Sequence, residues 1–144
     1  MKDFNGKLAV VTGGASGVGF AIGEALAKQG AKVILTDIEQ ESLENSTALL
    51  VNQSLDVFCK VTDVSNVESM QDLAHWCQAE HGPVHLLFNN AGVLGPAPLS
   101  QVNRDMYDWL ININLGGCFN GVHAFLPKMQ SSKEESHIIA TCST

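Results

Sequence analysis

The stretch Thr12-Gly-Gly-Ala-Ser-Gly-Val-Gly19 connects the apolar run Leu8–Thr12 to a helical stripe that begins at Val18. A short apolar run that ends at glycines predicts a strand buried on both faces. Small residues between a strand and a helix let backbone N–H groups approach an anion, and the helix dipole adds favourable charge. We therefore predict that this glycine loop binds a pyrophosphate.

The rest of the chain continues the alternation of strand and helix. Four further strand-like runs are predicted at residues 33–36, 57–61, 84–88 and 137–142, with helical stripes between them. This alternation predicts an α/β fold, a doubly wound Rossmann-type parallel sheet with right-handed crossovers and with ligands bound at the carboxyl ends of its strands. We predict one domain over residues 1–144 that is truncated after the fifth strand.

Local signals predict where the helices begin and end. Gly30 is expected to be the C-terminal cap of the first helix, and Ser65 with Glu68 has the spacing of a capping box. A long helix is predicted to run to about Met129, followed by a polar linker at residues 131–136. Three glycines in that helix, which are Gly116, Gly117 and Gly121, are expected to allow close packing.

Three other glycine motifs do not fit the loop. A Walker A loop needs Lys after the last glycine, but Phe20 follows Gly19. A nucleophile elbow fails at Val18, and the strict G-x-G-x-x-G pattern fails at Ile22.

The composition excludes several classes of partner. A net charge of −7 and a pI near 5.0 argue against nucleic acid and anionic membrane, since both require a basic face. No apolar run is long enough for a membrane span, and the N-terminus does not have a signal-peptide pattern. The four cysteines and five histidines lack metal-ligand spacing. We therefore expect a cytoplasmic protein with no metal.

Asp37 follows the second predicted strand. A carboxylate at that position accepts hydrogen bonds from the adenosine ribose hydroxyls of a bound dinucleotide. A 2′-phosphate at about 4 Å would meet a repulsion on the order of a few kcal/mol at an effective dielectric constant of about 20. No Lys or Arg is adjacent to Asp37 in the sequence, so we predict NAD rather than NADP.

The pattern T-G-x-x-x-G-x-G at residues 12–19 and the stretch Asn89-Asn-Ala-Gly92 after the fourth strand resemble the short-chain dehydrogenase/reductase family. The resemblance implies an NAD-dependent oxidoreductase that acts on an alcohol/carbonyl pair. It also implies a catalytic role for Asn114, which directly precedes Leu115, and for Ser143 after the fifth strand. The expected cofactor-binding residues are Gly13, Ala15, Ser16, Gly17, Val18, Gly19, Asp37, Asp63, Val64, Asn89, Ala91 and Gly92.

The family resemblance also implies a Tyr, with a Lys four residues later, about a dozen residues after the serine. Tyr107 is the only tyrosine here, and Ile111 stands four residues after it, so we expect this chain alone to be inactive. The implied partners are a small alcohol or ketone and, for a complete enzyme, further copies of itself. The alternative is a non-catalytic module that holds a dinucleotide or only binds a partner through its last strand and long helix.

Overall fold

Strand β1 (Leu8–Thr12) lies in the middle of the sheet, and all five of its residues are buried. The structure is a computed structural model, and it describes residues 1–95 and 98–142, apart from the side chain of Leu99. After β1 the order is α1 (Gly17–Lys28), β2 (Lys32–Asp37), α2 (Gln40–Val51), β3 (Val57–Val61), α3 (Val67–Glu80), β4 (Leu86–Asn89), α4 (Arg104–Ile111), α5 (Gly117–Ser132) and β5 (His137–Ala140). A short 3₁₀ turn, Leu99–Gln101, precedes α4.

The five strands form one parallel sheet in the order β3-β2-β1-β4-β5. Val10 of β1 pairs with Ile34 of β2 on one side and with Leu87 of β4 on the other. The chain therefore proceeds outward from β1 in one direction as far as β3 and then returns to place β4 on the opposite side. This order confirms the predicted doubly wound, Rossmann-type fold, and it puts the topological switch point between β1 and β4.

Alternate residues of β1 belong to two separate hydrophobic cores. Leu8 and Val10 pack in the core beneath α3 and α5, whereas Ala9 and Val11 pack in the core beneath α1 and α2. Because successive side chains of a strand point to opposite faces, a strand covered on both faces needs this continuous apolar run. Burial in the first core raises the pKa of the Cys77 thiol to about 12.

The C-terminal end of α1 agrees with the sequence prediction. Gly30 has a φ of +85°, its N–H donates to the Ala27 carbonyl, and the Ala31 N–H donates to the Leu26 carbonyl. These two bonds form a Schellman motif, which needs a left-handed residue after the helix.

The predicted N-cap of α3 is wrong by one residue. Asn66, not Ser65, is the cap, and its side-chain oxygen accepts the Ser69 N–H at 2.8 Å. Ser65 instead donates its N–H and its hydroxyl to the Asp63 carboxylate, at 2.9 and 2.7 Å. A carboxylate is a stronger acceptor than a neutral oxygen, so Asp63 holds Ser65 in the turn before the helix.

The predicted long helix contains a change of helical geometry. A π-helical segment, Asn112–Gly116, connects α4 to α5, and α5 continues to Ser132, which is part of the predicted linker. Strand β4 begins two residues later than predicted, and β5 ends at Ala140.

Within the described ranges, no helix combines the length and the apolar character that a membrane crossing requires.

Candidate functional site

A cleft opens at the carboxyl edge of the sheet, beside the switch point. It encloses about 130 Å³. The residues that line it come from the ends of β1, β2, β3 and β4 and from the π-helical segment: Gly13, Asp37, Ile38, Thr62, Asp63, Val64, Ala91, Gly92, Val93 and Ile113. Six of the twelve predicted cofactor-binding residues are among them, so the fold brings together residues that are as far as 79 positions apart in the sequence.

The glycine loop packs tightly against the segment that follows β4. Gly13 has a φ of +67°, and a Cβ on it would lie 2.8 Å from the Cα of Ala91. A Cβ on Gly19 would lie 2.1 Å from the Gly13 carbonyl oxygen. A side chain at Gly13 would force the loop away from Ala91, and one at Gly19 would overlap the Gly13 carbonyl and the Asn90 amide, which explains why glycine is needed at both positions.

The other end of the loop faces open space. Gly17 has a φ of +54°, and nothing lies within 4 Å of the position that its Cβ would occupy. The Phe20 N–H donates to the Ser16 carbonyl at 3.2 Å, which starts the hydrogen bonding of α1. The N–H groups of Gly17, Val18 and Gly19 precede that bond and have no carbonyl partner within the helix. The predicted loop residues Ser16, Gly17 and Val18 are exposed, so a ligand anion can reach this helix end.

Asp37 lies directly beside the glycine loop. Its Oδ2 accepts the Ala15 N–H at 3.2 Å, and its Oδ1 accepts the N–H groups of Ile38 and Glu39 at 2.8 and 3.2 Å. A carboxylate offers about four acceptor positions, so one position on Oδ2 remains for a ligand hydroxyl. The side chain is half-buried at the mouth of the cleft.

Asn90 connects three strand ends. Its Nδ2 donates to the Thr12 carbonyl of β1 at 3.1 Å, and its Oδ1 accepts the Thr141 hydroxyl after β5 at 3.1 Å. The Thr12 hydroxyl accepts the N–H groups of Asn90 and Ala91, both at 3.0 Å. Asn90 was not among the predicted site residues, although the N-N-A-G signature contains it.

Asn89, a predicted cofactor-binding residue, is not among the residues that line the cleft. The residue is only 6% exposed, and its Nδ2 donates to the Cys118 carbonyl of α5 at 3.3 Å. A Cβ on Gly121 would lie 2.1 Å from the Asn89 Oδ1. Neighbouring residues of an extended chain point to opposite sides, so Asn89 packs against α5 whereas Asn90 reaches the end of β1. Asn89 is therefore a packing group between β4 and α5, and its contact with a cofactor stays a prediction.

Two of the three helix glycines are explained by close packing, as predicted. Gly121 makes room for Asn89, and a Cβ on Gly117 would lie 2.7 Å from the Val64 Cγ2. Gly116 is different, since the nearest atom to its Cβ position is 3.6 Å away. The structure gives no steric reason for glycine at that position.

Asn114, predicted to be catalytic, lies in the π-helical segment and pairs with the loop after β4. Its Oδ1 accepts the Val93 N–H at 2.8 Å, and its Nδ2 donates to the Val93 carbonyl at 2.9 Å. One amide thus satisfies both polar groups of one loop residue. This pairing fixes the loop that carries Ala91 and Gly92 against the helix, and Ile113 from the same segment lines the cleft.

Asp63 and Val64 line the side of the cleft that is formed by the end of β3. The Asp63 carboxylate accepts a hydrogen bond from Ser65. The backbone N–H of Asp63 donates to the Ser69 hydroxyl at 3.1 Å. The Val64 carbonyl accepts from the buried amide of Asn120 at 2.9 Å. Both predicted residues are therefore held in place from α3 and α5.

Ser143, the other predicted catalytic residue, lies outside the described residues. Within residues 1–95 and 98–142, no three His, Cys, Asp or Glu side chains come together as metal ligands would. The part of the cleft that the structure describes is thus built from glycines, two carboxylates, a threonine hydroxyl and aliphatic side chains.

Comparisons with known proteins agree with this architecture. A family model for short chain dehydrogenases matches residues 7–144. The chain is 35% identical over 144 residues to a C alpha-dehydrogenase of Sphingobium sp., a match that covers 99% of this chain and 47% of that protein. The chain spans about half the length of the curated relatives it matches.

Two solved structures are similar over nearly the whole chain. A short-chain dehydrogenase/reductase from Burkholderia phymatum in complex with NAD has a TM-score of 0.95 and 38% identity, over 99% of this chain and 51% of that one. A metagenomic short-chain oxidoreductase in complex with NADP has a TM-score of 0.90 and 33% identity, over 98% of this chain and 64% of that one. With its doubly wound sheet, its glycine loop and a family match that begins at Lys7, this chain belongs to the short-chain dehydrogenase family.

Proposed function

We propose that this chain binds NAD at the carboxyl edge of its sheet and forms the nucleotide-binding part of an oxidoreductase that acts on an alcohol/carbonyl pair. The observation that carries the proposal is the 3.2 Å hydrogen bond between the Ala15 N–H and the Asp37 carboxylate. It places an acid suited to ribose hydroxyls next to a loop suited to a diphosphate. A dinucleotide needs both groups within one short span.

The chain's own residues fit such a ligand. The exposed start of α1 offers unpaired N–H groups to the diphosphate, and Gly17 leaves space for it. Asp37 has one free acceptor position for a ribose hydroxyl. Ile38 and Val64 provide apolar surface beside Asp63, which is the side we assign to the adenine.

The charge of the cleft favours NAD over NADP. Its described lining includes two carboxylates, Asp37 and Asp63, and neither Lys nor Arg. A 2′-phosphate would therefore meet negative charge without a compensating cation. Family membership does not decide the choice, because one similar structure is a complex with NAD and another is a complex with NADP.

Bound NAD would supply the acceptor for a hydride from an alcohol carbon. We assign Asn114 to holding the loop after β4 in place, and Ser143 to a hydrogen bond with the substrate oxygen. Tyr107 is not suited to proton transfer here, because it lies on α4 beside Arg104 and does not line the cleft. We therefore expect this chain alone to bind NAD without oxidising alcohols.

Titration calorimetry with NAD and NADP tests the proposal. We expect saturable binding of one NAD per chain, and NADP binding at least about tenfold weaker, which corresponds to about 1.4 kcal/mol. NAD should also raise the melting temperature in proportion to the logarithm of its concentration. Folded protein that shows no heat and no thermal shift with NAD would contradict the proposal and would favour the partner-binding module. Equal affinity for the two dinucleotides would contradict the assignment of Asp37.

A further inference from the structure

The peptide groups around Ala15, in the middle of the glycine loop, are held by the second strand–helix unit. The Ser46 hydroxyl of α2 donates to the Ala15 carbonyl at 2.6 Å, and the Ser42 hydroxyl donates to the same oxygen at 3.3 Å. The Asp37 carboxylate accepts the Ala15 N–H, and the Thr36 carbonyl accepts the Gly14 N–H at 3.0 Å. The loop is thus attached to β2 and α2 by four hydrogen bonds.

The bond from Ser46 is not the one that a helical serine ordinarily makes. A Ser or Thr inside a helix usually donates to the carbonyl four residues earlier, as Thr47 does to Leu43 at 2.8 Å. Ser46 instead reaches a carbonyl 31 residues earlier in the chain, in a residue that is only 5% exposed. A buried carbonyl needs a partner, and Ser46 provides it.

The planar peptide bond transmits this contact to the ligand side of the loop. In a trans peptide the carbonyl of one residue and the N–H of the next point in opposite directions. The Ala15 carbonyl points toward α2, so the N–H of Ser16 points away from α2. Ser16 is the exposed N-cap of α1, at the helix end where a diphosphate would bind.

We propose that Ser46, assisted by Ser42, is a positioning residue for the diphosphate of a bound dinucleotide, because it fixes the orientation of the Ala15–Ser16 peptide. This inference rests on the proposed function. Ser46 itself does not contact the ligand. It sets the direction of an N–H donor that does.

The test compares S46A with wild type for ligands with and without a diphosphate. We expect S46A to bind NAD and ADP about fivefold more weakly, the effect of losing about one hydrogen bond. Adenosine, followed by NMR titration, should bind within twofold of wild type, since it does not reach the loop. S46T keeps the hydroxyl and should restore NAD affinity to within twofold. N45A, an exposed change on the same helix, is the matched control and should have no effect.

Three results would overturn the inference. NAD binding to S46A within twofold of wild type would show that the hydroxyl does not position the loop. An equal loss of affinity for NAD and adenosine would show a general structural effect of the substitution. Urea unfolding of each variant would then show whether its stability has fallen. The ¹³C chemical shift of the Ala15 carbonyl, measured without ligand, tests the contact separately from the proposed function, because the Ser46 hydroxyl donates to that carbonyl oxygen. The carbonyl resonance should move in S46A and not in N45A, and an unchanged shift in S46A would overturn the inference even where NAD binds.

Discussion

Replacing Asp37 with serine should shift the preference of this chain from NAD toward NADP. The carboxylate accepts three backbone N–H groups, from Ala15, Ile38 and Glu39, and has one acceptor position left. A serine hydroxyl can still accept from the two N–H groups that follow it, as in other turns. It is too short to replace the bond to Ala15, so D37S changes both the charge and the support of the glycine loop.

The two consequences can be estimated separately. Unit charges about 4 Å apart at an effective dielectric constant of about 20 repel by about 4 kcal/mol. Asp37 is half-buried, so solvent and salt reduce this value, and we take a gain for NADP of about 1.5–3 kcal/mol. Loss of one charge-assisted hydrogen bond to the ribose should reduce NAD affinity about tenfold, whereas the weaker loop affects both dinucleotides and cancels in their ratio. The ratio of the two dissociation constants should therefore change by at least about a hundredfold.

Calorimetric titration of both dinucleotides at 50 mM and 300 mM salt measures this ratio. The NADP gain in D37S should shrink at the higher salt concentration, because it comes from relief of repulsion. D56S is the matched control, since Asp56 is an exposed aspartate before β3, at the opposite edge of the sheet. The reasoning is refuted when D37S folds normally and keeps the wild-type ratio, or when D56S changes the ratio equally.

Three further changes test the structure around the cleft. G19A should lower the free energy of unfolding by about 1–3 kcal/mol in urea titrations and weaken NAD binding, because its methyl group would overlap a backbone carbonyl. N114A should accelerate exchange of the Val93 amide hydrogen about fivefold, and an unchanged rate would show that this pairing does not hold the loop. The hydrogen bond from His85 lowers the pKa of Glu134. The ionised carboxylate therefore stabilises the fold at a pH above its ordinary pKa, and this stabilisation is lost as the pH falls through the lowered pKa. E134Q should therefore lose less stability than wild type between pH 6 and pH 3, as measured by urea midpoints.

Much of the fold follows from local patterns in the sequence. The bounds of β1 agree with the apolar run that predicts them, because a strand covered on both faces has no polar positions to obscure its ends. The bounds of β3 agree as well, although β3 is an edge strand on which Phe58 and Val61 are exposed. The cap at Gly30 was also predictable from a local signal, since the left-handed position after a helix favours glycine. The candidate site was predictable as a set of strand ends, because ligands of parallel sheets bind at that edge.

Other features depend on contacts that no local pattern encodes. The sequence alone did not distinguish the role of Asn89 from that of Asn90, which depends on the face each residue takes in the formed sheet. The π-helical segment at Asn112–Gly116 was also not predictable from the sequence, because an isolated helix of this composition has no reason to widen there. The tertiary contact at this segment is the pairing of the Asn114 amide with the backbone of Val93, in the loop after β4.

By itself, the sequence determined the alternation of strands and helices, the glycine loop and the acid at the end of β2. Hydrophobic periodicity, turn residues and helix caps act over a few residues, so they can be read along the chain. Only the tertiary structure decided that β1 lies between β2 and β4, and that a serine 31 residues away from Ala15 holds the loop. Those outcomes depend on the order in which strands pair and on the faces that helices bury, and both are settled only when distant segments pack together.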